Sequence, residues 1–179
     1  MLDLENIALI VVDFQGNLAH SMYEKHPLFE NTQKLIQGIR VFEAPIIVTE
    51  QIPEKLGPTI PEIAHYLSDI QYISKASFNC CTNEHFMREL ETLNRKQVLL
   101  SGIEAHICVY QTTMGLLNMG YEVHVVADAT SSRTVRNRNI GLEKMKDGGA
   151  NLTSTEIVLF ELLVTAEHEK FREIIKIVK

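Results

Sequence analysis

The stretch Ile7-Ala8-Leu9-Ile10-Val11-Val12 restricts what this chain can fold into more than any other. It is apolar without alternation and closes on Asp13, the pattern of a strand covered on both faces in a parallel sheet flanked by helices. Further strand-like runs follow at Pro45–Thr49, Gln71–Ser74, Gln97–Ser101, Tyr121–Asp128 and Asn151–Thr153. Between them lie amphipathic stretches. Asn31-Thr32 can cap a helix through Leu35, Ile36, Ile39 and Phe42, and Thr82-Asn83 can start one carrying Phe86, Leu90 and Leu93. A helix after Cys108 runs through Met114 and Leu117 to Gly120, another spans Asn137–Lys146 before Gly148-Gly149, and two close the chain. Phe14–Phe29 and Gln51–Pro61 read as loops, the second followed by a short helix near Glu62–Tyr66. The alternation predicts an α/β fold: a three-layer α/β/α Rossmann-like sandwich around a six-stranded, mainly parallel sheet with right-handed crossovers. The expected organisation is one domain over residues 1–179.

Charge and cysteine usage exclude several classes. With 17 bases against 23 acids the net charge is −6, and no basic run is longer than the scattered Arg133, Arg136 and Arg138, so no nucleic-acid partner is expected. The first residues lack a basic signal-peptide region and no apolar run is long enough to span a bilayer, so a soluble, cytoplasmic protein with no membrane partner is expected. Cys80, Cys81 and Cys108 form no disulfide framework and are expected to be thiols.

In parallel sheets ligands bind beyond the carboxyl ends of the strands. Asp13, Lys75 and Cys108 each follow the carboxyl end of a different predicted strand, so the fold brings them to one edge. A carboxylate beside a cysteine can act as general base and later as acid, and an ammonium between them stabilises both anions and depresses the thiol pKa. The start of a helix adds unpaired N–H groups that favour a thiolate and can hold an oxyanion. Taken singly, each residue has an ordinary reading: a turn-capping aspartate, a solvated lysine, a packed cysteine.

Val12-Asp13-Phe14-Gln15, Lys75-Ala76-Ser77-Phe78 and Gly102-Ile103-Glu104-Ala105-His106-Ile107-Cys108-Val109 resemble the signature segments of the isochorismatase-like hydrolases, the superfamily that includes nicotinamidases. The similarity covers nearly the whole chain. Residues 48–51, 56–59 and 128–133 resemble more narrowly the small isochorismatase-domain-containing proteins of unassigned substrate. The resemblance implies Asp13 as base and acid, Lys75 as its electrostatic partner and Cys108 as the nucleophile that forms a covalent acyl-enzyme. It also implies a cis Ile103–Glu104 peptide and an oxyanion hole built from the Glu104 and Cys108 amides. Phe14, Gln15, Glu50, Gln51, Phe78 and His106 are candidate pocket residues.

Metal-binding nicotinamidases carry an Asp-x-His pair after the second strand, where this chain has Thr49-Glu50-Gln51 with only His65 nearby. No metal site and no cofactor are therefore expected, and nicotinamide is a doubtful substrate. The expected activity is metal-independent hydrolysis of an amide C–N bond in a small molecule. A non-catalytic binding or scaffold subunit and a vinyl-ether hydrolase are the alternatives. The resemblance further implies a homo-oligomer, for which the apolar C-terminal segment Ile157–Phe160 and Leu162–Val164 could serve as core or interface equally.

Overall fold

The computed structural model describes residues 1–179. Its sheet comprises β1 (Ile7–Val12), β2 (Ile46–Gln51), β3 (Tyr72–Lys75), β4 (Gln97–Ile103), β5 (Glu122–Ser131) and β6 (Asn151–Thr153). The strand order is β3-β2-β1-β4-β5-β6 and every pairing is parallel. The helices are α1 (Gly16–His20), α2 (Lys25–Val41), α3 (Pro53–Leu56), α4 (Pro61–Ala64), α5 (Glu84–Leu93), α6 (Tyr110–Asn118), α7 (Val135–Asp147), α8 (Thr155–Leu163) and α9 (Phe171–Val178). None is long and apolar enough to cross a membrane.

The unbroken apolar character of β1 follows from its place between two cores. Ile7, Leu9 and Val11 pack into one cluster with Leu35, Ile36 and Ile39 of α2, Val158 and Leu162 of α8 and Ile174 of α9. Ile10 and Val12 point the other way, into a cluster with Phe86 and Leu90 of α5, Leu116 of α6 and Met145 of α7. Strand side chains alternate between faces, so a strand covered on both sides must be apolar at every position.

Several boundaries differ from the sequence expectation: the Gln51–Pro61 stretch holds the short helix α3, and α7 starts at Val135 rather than Asn137. The Phe14–Phe29 segment is not a plain loop: it contains α1, and α2 begins at Lys25 rather than at an Asn31-Thr32 cap. Pro27 is tolerated because it sits in the first helical turn, where backbone N–H groups have no intrahelical acceptor. Freed from capping, Asn31 donates to the Asp128 carbonyl and the Thr32 hydroxyl to the Leu28 carbonyl. The fifth strand also runs on to Ser131, with a register break against β4 between Leu100 and Gly102.

The order of strands reverses direction between β1 and β4, and such a switch point opens a crevice at the carboxyl edge. Close approach of these two strands depends on Gly102, paired with Val12: a Cβ added there would lie 2.6 Å from both Val12 Cβ and Val12 O. Gly102→Ala is therefore expected to destabilise the fold by about 1–3 kcal/mol, the usual range for overpacking. Urea denaturation checks this, and an unchanged midpoint would refute the steric account.

Candidate active site

Two strand ends deliver the charged residues. Asp13 ends β1 in the left-handed region at φ 58°, a conformation that costs a non-glycine residue about 1–2 kcal/mol and that aspartate tolerates better than most. Lys75, the last residue of β3, crosses β2 to place Nζ 2.6 Å from Asp13 Oδ2. The other carboxylate oxygen, Oδ1, accepts the Thr49 hydroxyl at 2.8 Å. Gln51 Oε1 and the Ser77 carbonyl take further Lys75 N–H groups at 2.7 and 3.2 Å. Asp13 and Lys75 are only 2% and 3% exposed, so each charge is compensated by the other and by these polar neighbours.

The nucleophile candidate comes from β4. After a cis Ile103–Glu104 peptide the chain makes a single π-helical turn, Ala105–Val109, and continues as α6. Cys108 lies within that turn rather than at the first residue of an α-helix, and it is 7% exposed. The Glu104 N–H finds no acceptor within the chain. Helix α7 presses on the turn through Gly141, where an added Cβ would stand 2.7 Å from the Ala105 carbonyl oxygen.

Lys75 does pull the Cys108 thiol down, as expected, but other influences outweigh it. Burial first, and then the adjacent Asp13 carboxylate, push the thiol well above its ordinary range, and the opposing pull of Lys75 is the weaker influence. Lys75 is already held by Asp13 at 2.6 Å, and desolvation disfavours a thiolate. Cys108, the candidate nucleophile, thus has the Asp13 carboxylate beside it and only a weaker pull from the ammonium.

Residues 7–157 match the Isochorismatase domain family. The chain belongs to the isochorismatase family. It is 38% identical over 171 residues to isochorismatase domain-containing protein 2 of Xenopus laevis, covering 95% of this chain and 82% of that protein. The solved MAR1 ribonuclease of Caenorhabditis elegans superposes with a TM-score of 0.92 at 36% identity, covering 99% and 91% of the two chains. YcaC of Pseudomonas aeruginosa, solved with hexane-2,5-diol and covalent acrylamide, gives 0.91 at 26% identity over 98% and 90%. The six-stranded parallel α/β architecture is that of this family of hydrolases.

Within the family frame the remaining candidate residues separate by what they touch. Phe14 is buried with its ring edge-on to Phe29, in the cluster on the α2 side of the sheet, and follows the left-handed residue Asp13. Gln15 braces the neighbouring strand and loop. Its Oε1 accepts the Gln51 N–H at 2.6 Å while Nε2 donates to the Gln51 and Gly57 carbonyls. Glu50 turns to its own chain, Oε1 accepting both the amide and the hydroxyl of Thr59 at 2.7 Å. Gln51 holds Lys75 and donates to the Ala76 carbonyl. Phe78 alone is open, at 51% exposure, and His106 Nδ1 meets the Ser132 hydroxyl at 2.9 Å.

These engagements bear on the metal question. Thr49 and Gln51 stand where the Asp-x-His pair would place its ligands, and the Thr49 hydroxyl donates to Asp13 while Gln51 Oε1 accepts from Lys75; between them Glu50 engages Thr59 through Oε1. His65 packs edge-on against Tyr66. This donor set does not fit a divalent ion. Thr49 is the positioning residue that sequence reasoning passed over as a site member. Its signal was a polar side chain inside a buried strand, registered against Val12.

Cys80 lies close enough to feel the same charges. Burial pushes its thiol up to about 11, against the pull of the Lys75 ammonium. An unfolded thiol ionises near ~8.5, so above that pH the folded state binds the extra proton and stability falls as pH rises. This contribution is fully present below about pH 8.5 and is lost as pH rises through about 11. Urea melts between these limits should show a falling midpoint whose slope Cys80→Ala reduces; a midpoint rising with pH would contradict the sign.

Proposed function

We propose that this chain is a metal-independent cysteine hydrolase that cleaves the C–N bond of a small-molecule amide through an acyl-enzyme on Cys108. The observation that carries the reading is the buried Asp13–Lys75 pair at 2.6 Å, set beside Cys108, whose ionisation Asp13 opposes. The Cys108 sulfur attacks the carbonyl carbon while its proton passes to Asp13. The Glu104 and Cys108 amides hold the resulting oxyanion. Asp13 then gives the proton to the departing nitrogen, and the C–N bond breaks to leave a thioester and a free amine. Water, deprotonated by Asp13, adds to the thioester and releases the acid and the thiol. Lys75 keeps Asp13 in place and balances its charge in the steps where it is ionised.

The covalent acrylamide in the Pseudomonas neighbour supports a thiol reading, since acrylamide is an electrophile to which thiols add. The ribonuclease name of the nematode neighbour raises RNA as a second substrate class. A net charge of −6 and reacting groups at most 7% exposed favour the small molecule. Self-association is part of the same proposal, and exposed Leu152, Ile157, Phe160 and Val164 along β6 and α8 offer the apolar surface for it. The test is a screen of small amides, carbamates and an RNA oligonucleotide with intact-mass detection. An acyl adduct mapped to Cys108 is expected, and RNA cleavage with no adduct would reverse the assignment.

A further inference from the structure

Just past the end of β5, Ser132 and Arg133 dock on the turn that carries the nucleophile. The Ser132 hydroxyl meets His106, and Arg133 donates its backbone N–H and its Nε to Glu104 Oε1 at 3.3 and 3.0 Å. The two partners are unequally placed: the Glu104 side chain is 6% exposed and that of Arg133 55%. A buried carboxylate therefore fixes one edge of the guanidinium, while Nη1 and Nη2 contact no acceptor of the chain. Arg138, on the following helix, differs in this respect, its guanidinium being spent on the Thr130 and Ala127 carbonyls.

An exposed arginine paired to a single carboxylate adds little to stability, since such pairs are largely screened. What this pair does provide is orientation. Glu104 is also the residue whose free amide serves as an oxyanion donor in the proposed reaction, so the guanidinium is anchored through one side chain to the place where the carbonyl reacts. Glu104 cancels much of the long-range attraction, leaving directional N–H donors whose planar fork matches a carboxylate.

We propose that Arg133 is a specificity-determining residue that binds the carboxylate of an anionic amide substrate, with Glu104 as its positioning residue. The inference rests on the cysteine-hydrolase reading, and the test separates the two. Iodoacetate and iodoacetamide alkylate a thiol by the same displacement: sulfur bonds to the methylene carbon, iodide leaves, and the thiol proton passes to Asp13 and then to water. They differ in carrying a carboxylate or a neutral carboxamide.

Alkylation of Cys108, followed by peptide mass mapping to separate it from Cys80 and Cys81, gives the ratio of the two rates. In the wild-type chain the iodoacetate to iodoacetamide ratio is expected to exceed that of glutathione at the same pH by about tenfold, the effect of one charge-assisted contact. Arg133→Gln is expected to bring the ratio down to the glutathione value, and Arg133→Lys, which keeps the charge but not the fork, to an intermediate one. Equal ratios in the wild type and Arg133→Gln overturn the role of Arg133 while leaving the nucleophile intact. Failure of both reagents to modify Cys108 overturns the cysteine reading, and this inference with it.

Discussion

Cys108→Ala is expected to lower kcat on any amide the wild-type chain hydrolyses by roughly four to six orders of magnitude, the range for removal of a covalent nucleophile. The acyl adduct should vanish from intact-mass spectra at the same time. The fold should survive, because the side chain is small and alanine fills most of its place in the cluster around Val109 and Leu116. Cys108→Ser sharpens the test. A serine hydroxyl is a weaker nucleophile than a thiol at any given basicity of Asp13, so residual acylation without efficient turnover is the expected outcome. Retained turnover in Cys108→Ala would mean that water, activated by Asp13, attacks the substrate directly. That result would favour the vinyl-ether type of hydrolysis, in which no thiol is needed.

The second large effect concerns stability. Lys75→Met leaves the Asp13 carboxylate buried with only the Thr49 hydroxyl for support, and Asp13→Asn leaves the ammonium with Gln51 and the Ser77 carbonyl. Each single change is expected to cost roughly 3–5 kcal/mol, the penalty for orphaning one partner of a buried ion pair. The double variant Asp13→Asn/Lys75→Met removes both charges and should recover much of that loss, while activity stays abolished. A double-mutant cycle by urea denaturation checks the coupling. If the two single losses simply add, the pair is not a unit. If the double variant is both stable and active, Asp13 is not the proton carrier.

The particular elements show why some of this was legible without coordinates. The β1 run is readable because burial on both faces imposes apolar residues at every position, a local consequence of a global arrangement. The same logic places Asp13, Lys75 and Cys108: a parallel sheet collects carboxyl ends on one edge whatever the loops do. The start of α2 was not readable, because Asn31 and Thr32 are good cap residues by type and only tertiary packing gives them other partners. The direction of the Phe14 side chain was unreadable for a related reason. A single left-handed residue at Asp13 reverses which way the next side chain points, and no pattern of apolar residues records that turn.

The sequence by itself determined the strand and helix alternation, the parallel sheet, the family and the three residues at its carboxyl edge, since each depends on residue types spaced along a few turns of chain. The tertiary structure alone decided how the charges are partnered. Lys75 is paired to Asp13; burial first and then Asp13 push the Cys108 thiol up; Gln51 and Thr49 hold the ion pair; and Glu104 holds Arg133. The physical reason is that electrostatic and hydrogen-bond energies change over single ångströms, while the contacting groups are separated by up to 62 residues of chain. Periodicity can say which edge a side chain reaches, but only packing fixes the distances that set its chemistry.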